Sequence, residues 1–152
     1  RIFITEIDES RLELVRKMGV DAAVNTAKED LREVMRAQGL TEGFDVGLEM
    51  SGSAAAFHQM ISVMRNGGKI SLLGLGGKPI EVDMNTVIWK GLTLQGIYGR
   101  KMDNWHQMSY MVQGGLDVSP VITHRFHYTE FEQGFAAMNS GKSGKVILDW
   151  TK

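Results

Sequence analysis

Phe44-Asp45-Val46-Gly47-Leu48-Glu49 reads as a strand, and the residues that follow it decide the fold. After Met50-Ser51-Gly52-Ser53 comes a run with apolar residues at helical spacing: Ala54 to Phe57, Met60, Ile61 and Met64. Asn66-Gly67-Gly68 then predicts a turn into a second strand, Lys69 to Leu73. A strand, a helix and a strand at this spacing form a crossover unit, and crossovers join parallel strands.

The same rhythm extends upstream. Ile2 to Glu6 predicts a strand, and residues 9–18 a helix with Asp8 as N-cap, Leu12, Val15 and Met18 on one face, and Gly19 at its stop. Ala22-Ala23-Val24-Asn25 predicts a short strand. Thr26 and Glu29 form a capping-box pattern before a helix that buries Leu31, Val34 and Met35 and ends at Gly39. A strand as apolar as the first wants neighbours on both sides, so further sequence is expected before residue 1.

Downstream, Gly74-Leu75-Gly76-Gly77 leads to an extended piece at 80–83, a helical turn at 85–90 and a strand from Leu92 to Ile97. The pattern then changes. A helix from about 103 carries Trp105, Met108 and Val112 on one side and stops at Gly114-Gly115. Pro120-Val121-Ile122 and His124 to His127 read as extended. Thr129 and Glu132 predict a second capping box, for a helix burying Phe131, Phe135 and Met138, and Lys145 to Trp150 closes as a strand.

With 152 residues, 43% hydrophobic and 23% charged, the chain suits one soluble domain with a sizeable core. Its net charge of −1 gives no reason to expect a nucleic-acid or membrane partner. The absence of cysteine removes disulfides and thiolate metal ligands. Gly141-Lys142-Ser143 is no phosphate loop, because position 136 is Ala where a glycine is required. His124 and His127 have no third ligand at suitable spacing, so no metal site is expected in this chain.

Four features could carry chemistry. Glu6 falls at the carboxyl end of a parallel strand, where α/β sheets bind ligands. There a carboxylate can accept from a cofactor's ribose hydroxyls and repel a 2′-phosphate, or it is simply a solvated residue. Arg11 could stack on adenine or donate to the same ribose, or form a surface ion pair with a nearby glutamate. The loop Leu73-Gly74-Leu75-Gly76-Gly77 could bring backbone close to a planar nicotinamide, or serve only as a tight turn. Ile97-Tyr98-Gly99 ends the next strand on what should be the same rim, or is core and turn. No Gly-x-Gly-x-x-Gly fingerprint occurs.

Several stretches together resemble the L-threonine 3-dehydrogenases, zinc-dependent members of the medium-chain alcohol dehydrogenase superfamily. They are Ile4-Thr5-Glu6 with Arg11-Leu12-Glu13-Leu14, Thr41 through Gly52, Lys90-Gly91-Leu92 with Gly96-Ile97-Tyr98-Gly99-Arg100, Pro120 through Phe126, and Ser140-Gly141 with Ser143 through Leu148. The resemblance implies a cytoplasmic, homotetrameric enzyme of threonine catabolism that oxidises L-threonine to 2-amino-3-oxobutanoate with NAD and zinc. It implies that Glu6 and Arg11 hold the adenosine ribose, that Leu73, Gly74 and Leu75 line the nicotinamide side, and that Ile97 and Tyr98 lie beside them. No catalytic residue and no zinc ligand is implied within this chain, since those belong to an amino-terminal catalytic domain.

The expected fold is therefore α/β: an incomplete Rossmann-like, doubly wound parallel sheet without its first strand or glycine fingerprint, over residues 1–104. Residues 105–152 are expected to be the segment that returns to the catalytic domain. In the usual strand order 3-2-1-4-5-6 the first strand sits between those starting at Ile2 and Phe44. Its loss predicts one of three outcomes: direct closure of the half-sheets, pairing with another copy, or an upstream fragment in the gap. Self-association through residues 92–97 is expected, as is little NAD binding or activity for the chain alone. Another polyol or alcohol dehydrogenase, or a self-associating non-catalytic module, would be the alternative.

Overall fold

The computed structural model describes residues 1–151 as an all-parallel α/β protein with seven strands. Chain contacts divide it into two compact units, residues 1–31 with 102 onward, and residues 32–101.

In the first unit, strand β1 (Phe3–Glu6) pairs in parallel with β2 (Ala22–Asn25), Glu6 opposite Asn25. Helix α1 (Glu9–Lys17) crosses between them. Its start is fixed as the sequence predicts: the Asp8 carboxylate accepts from the Arg11 N–H at 3.1 Å. Glu9 in the first turn and Arg16 and Lys17 in the last complement the helix dipole. Leu12 is fully buried, whereas Met18 lies exposed beyond the helix end.

The first capping box is displaced by one residue. Glu29 accepts from the N–H of Asn25, not Thr26, and the Asn25 side chain accepts from Ala27 N–H. Asn25 is buried, and its amide also donates to the Ile7 carbonyl and to Glu9. Residues 26–29 consequently form a turn, and helix α2 (Leu31–Ala37) starts only after it.

The 32–101 unit holds the sheet β3 (Phe44–Glu49), β4 (Met64–Leu72) and β5 (Thr93–Gly96), in the order β3-β4-β5. Helix α3 (Ala54–Val63) links β3 to β4, and α4 (Met84–Trp89), capped by Asp83, leads to β5. Met64, expected in the helix, instead opens β4 opposite Phe44, and the pairing resumes at Val46 with Lys69. The Asn66-Gly67-Gly68 turn is thus a loop between two paired positions of one strand, with Gly67 at φ 73°. Phe57, Ile61, Met64, Ile70 and Val87 form the core. The carbonyl end of α3 is closed by Lys90, whose ammonium donates to the carbonyls of Ile61, Ser62 and Met64 at 2.8–3.0 Å.

Back in the first unit, α5 (Met102–Gln113) is followed by a 3₁₀ turn over Ser119–Val121, so Pro120 and Val121 are not extended. Strand β6 (Ile122–His127) pairs in parallel with β7 (Lys145–Asp149), joined through α6 (Phe131–Asn139). The second capping box also shifts: His127 and Glu130 form it, around the 3₁₀ turn that precedes α6. The face α6 turns to its sheet is Gly134, close to Leu148, Phe126 and Val146. Phe131, Phe135 and Met138, expected to be buried, are 48%, 53% and 51% exposed, and no residue of α5 is buried. The missing glycine side chain lets α6 sit close on the strands, which turns its bulky residues outward.

Strand pairing joins β1 to β2 and β6 to β7 in the first unit, and β3, β4 and β5 in the second.

Candidate functional site

The residues singled out by sequence fall into two groups, each within its own unit. Glu6 ends β1, and one carboxylate oxygen accepts from the N–H groups of Ile7 and Asp8 at 2.7 and 3.2 Å. The other faces the Arg11 guanidinium at 3.3 Å, which reaches back from the first turn of α1. Burial alone would raise the Glu6 carboxyl. The two N–H donors and Arg11 outweigh it and hold it below its usual value, so it is ionised at neutral pH.

The ion pair itself is half-open to solvent and worth at most about 1 kcal/mol. Of the alternatives open for Arg11, the structure contains the ion pair with a nearby glutamate, and Glu6 is that glutamate. An ionised carboxylate accepts about four hydrogen bonds, so the oxygen facing Arg11 has capacity for a further donor such as a sugar hydroxyl.

The second group sits at the carboxyl ends of β3, β4 and β5. The N–H groups of Leu73 and Gly74 both donate to the Glu49 carbonyl, at 2.8 and 3.0 Å. Ile97 donates to the Leu72 carbonyl at 2.9 Å, which sets it beside the start of the same loop. Leu75 and Tyr98 project outward, 86% and 95% exposed.

Glycine is required in this loop for a steric reason. A Cβ on Gly74 would lie 2.1 Å from the Gly52 nitrogen, and one on Gly76 would lie 2.6 Å from the Gly52 carbonyl oxygen. Gly52, at φ 69°, would in turn meet the Leu75 backbone at 2.6 Å. Backbone packs on backbone between loops 50–53 and 73–76.

At the centre of that contact lies Glu49, to which the sequence reading gave no role. It is 4% exposed, and its carboxylate accepts from Ser51 N–H, Ser51 Oγ and Gly52 N–H. A signal was available: Glu49 ends β3 as Glu6 ends β1, an acidic residue at a strand's carboxyl end.

Two open hollows of the 32–101 unit, of about 460 and 650 Å³, include none of the residues 73–75 or 97–98. The first is lined by Arg32, Arg36 and Lys90 among others, the second by His58, Glu81 and Asp83. Among the described residues no group of three or more His, Asp or Glu could hold a metal ion. No helix there is long and apolar enough to cross a membrane.

A family model described as zinc-binding dehydrogenase matches residues 1–114. An L-threonine 3-dehydrogenase of Aeromonas salmonicida is 57% identical over 152 residues, covering 99% of this chain and 44% of that protein. The chain thus spans less than half the length of the curated relatives it matches.

Among solved structures, the chain is similar to an Escherichia coli alcohol dehydrogenase complexed with NADH (TM-score 0.86, 17% identity, 99% of this chain and 44% of that one). It is also similar to L-idonate 5-dehydrogenase of the same species (TM-score 0.83, 24% identity, 98% and 43%). At such identities the likeness is one of fold: a parallel α/β sheet of the Rossmann-like kind.

Proposed function

The chain belongs to the zinc-binding dehydrogenase family, and from that premise we propose that it is the carboxyl-terminal part of an NAD-dependent L-threonine 3-dehydrogenase. On this reading residues 1–104 belong to the cofactor domain and residues 105–152 return to a catalytic domain outside the chain. The reaction is oxidation of L-threonine to 2-amino-3-oxobutanoate. The observation that carries the reading is the 57% identity to a threonine dehydrogenase along essentially the whole chain.

NAD fits the donor set: Glu6 offers acceptor capacity at a strand's carboxyl end, with Arg11 beside it. Bound there, the cofactor supplies a hydride acceptor. Glu6 would accept from the adenosine ribose hydroxyls and repel a 2′-phosphate by charge. Arg11 would orient that carboxylate and present its guanidinium to the same ribose. Leu73, Gly74 and Leu75 would line the nicotinamide side, with Ile97 and Tyr98 beside them.

Zinc does not fit this chain's donors. It has no cysteine and, among the described residues, no three-ligand cluster. We assign zinc and the catalytic residues to the rest of the protein, and we expect the chain alone to turn over no substrate. Residues 92–97 are the segment we propose for self-association, in a homotetramer acting in the cytoplasm.

The family match, which names no substrate, leaves a second reading, another polyol or alcohol dehydrogenase. A protein of the relatives' length carrying this chain, assayed with NAD on L-threonine and on sorbitol, separates the two. Threonine oxidation is expected; oxidation of sorbitol alone overturns the assignment.

A further inference from the structure

We propose that the buried carboxylate of Glu49 makes the nicotinamide side of the site favour the oxidised cofactor over the reduced one; this rests on the reading that Leu73 to Leu75 line the nicotinamide. Glu49 is 4% exposed, yet every donor that reaches its carboxylate is neutral. One oxygen accepts from Ser51 N–H at 3.0 Å, Ser51 Oγ at 2.5 Å and Gly52 N–H at 3.2 Å. The second accepts from Gly52 N–H at 3.0 Å. None of the ion pairs among the described residues includes Glu49.

Amide and hydroxyl dipoles stabilise an anion without cancelling its net charge. In a weakly polarisable surrounding, that charge is felt over a longer range than a surface carboxylate's.

The position of the charge gives it a target. Glu49 sits directly behind the glycine loop: a Cβ on Gly74 would lie 2.7 Å from its second carboxylate oxygen. The Glu49 carbonyl also receives the N–H groups of Leu73 and Gly74. Whatever ring the loop holds is therefore backed by a fixed negative charge, and Gly74 leaves no side chain between. The nicotinamide ring of NAD carries a positive charge that the reduced ring lacks. Differential affinity for the two forms follows from that single unit of charge.

A purely structural Glu49, one that only ties loop 50–53 to loop 73–76, would influence both cofactor forms alike. This distinction supplies the test. In a protein of the relatives' length, dissociation constants for NAD and NADH are measured for three forms: unsubstituted, Glu49→Gln and Ser51→Ala. NADH is followed by its fluorescence and NAD by competition.

Glu49→Gln removes the charge at nearly constant shape and is expected to weaken NAD relative to NADH by about tenfold in the ratio, the equivalent of 1.4 kcal/mol. Ser51→Ala loses a donor to the carboxylate but keeps its charge. It is expected to weaken both forms while leaving the ratio unchanged.

An unchanged ratio in Glu49→Gln, or an equal shift of the ratio in both variants, overturns the inference. Glu49→Thr, smaller and uncharged, replaces Glu49→Gln if the latter does not fold. Failure of both to fold assigns the carboxylate to architecture alone and likewise overturns the inference. Should the unsubstituted protein bind neither cofactor form, the proposed function fails instead, which is a separate result.

Discussion

Replacing Gly74 by alanine tests whether the two glycine loops are interlocked as described. The new methyl would be placed 2.1 Å from the Gly52 nitrogen, 2.8 Å from its Cα and 2.7 Å from the second carboxylate oxygen of Glu49. Two of these neighbours are backbone atoms, so a side-chain rotation cannot relieve the overlap. Overpacking of this kind costs about 1–3 kcal/mol.

Moving Gly52 aside also loosens its hydrogen bonds to the buried carboxylate, and a bond to a charged group contributes about 1.5–3 kcal/mol. Together these give a loss of about 2.5–6 kcal/mol, large against the roughly 5–15 kcal/mol that holds a domain folded.

Gly19→Ala provides the control. Its φ of 75° is unfavourable for alanine, but nothing lies within 4 Å of the added atom, so its cost is only about 1–2 kcal/mol. Denaturation midpoints and hydrogen exchange at the amides of Ser51, Gly52 and Gly74 measure both variants. If Gly74→Ala proves no more destabilising than Gly19→Ala, the interlocked-loop account is wrong.

Two further outcomes concern the first unit. Glu6→Ala in a protein of the relatives' length is expected to weaken NAD binding by about tenfold or more, the loss of a hydrogen bond to a charged group. It should also narrow any preference for NAD over NADP; calorimetry showing an unchanged preference removes the proposed role of Glu6. Glu9, held by Asn25, Arg16 and Lys28, has its carboxyl pulled from 4.5 down to about 2. A depressed folded pKa contributes stability above the unfolded value, and that contribution is lost as pH falls through the folded one. Glu9→Gln should therefore be less stable than the unsubstituted chain at neutral pH. The difference should close between pH 4.5 and about 2, as followed by denaturation midpoints; a gap independent of pH contradicts the assignment.

How far the sequence was legible depends on how local the deciding force is. The cap at Asp8 and the strand Ala22 to Asn25 rest on neighbouring residues and fall where expected, and so does the order strand, helix, strand from β3 to β4, although β4 opens early, at Met64. The capping boxes each shifted, because the choice between Thr26 and Asn25, or Thr129 and His127, turns on which side chain can reach a donor. That geometry has no period to read. The apolar spacing of Phe131, Phe135 and Met138 identified a helix but not the surface it packs on, and Gly134 took that role.

Glu6 and Glu49 share one legible signal, an acid at a strand's carboxyl end. The burial of Glu49 was not legible, since it is imposed by the loop at 73–76, far along the chain. Only the folded backbone brings Gly52 and Gly74 together.

Gly47 has a consequence for how this chain can change over generations. A methyl there would fall 2.6 Å from the sulfur of Met60, and that long, unbranched side chain is the kind that can be shortened. A lineage admitting alanine at 47 would need Met60 to turn aside or be shortened, and after shortening a return to glycine would leave a void unless methionine came back. The two positions hold one volume between them and are expected to drift as a pair.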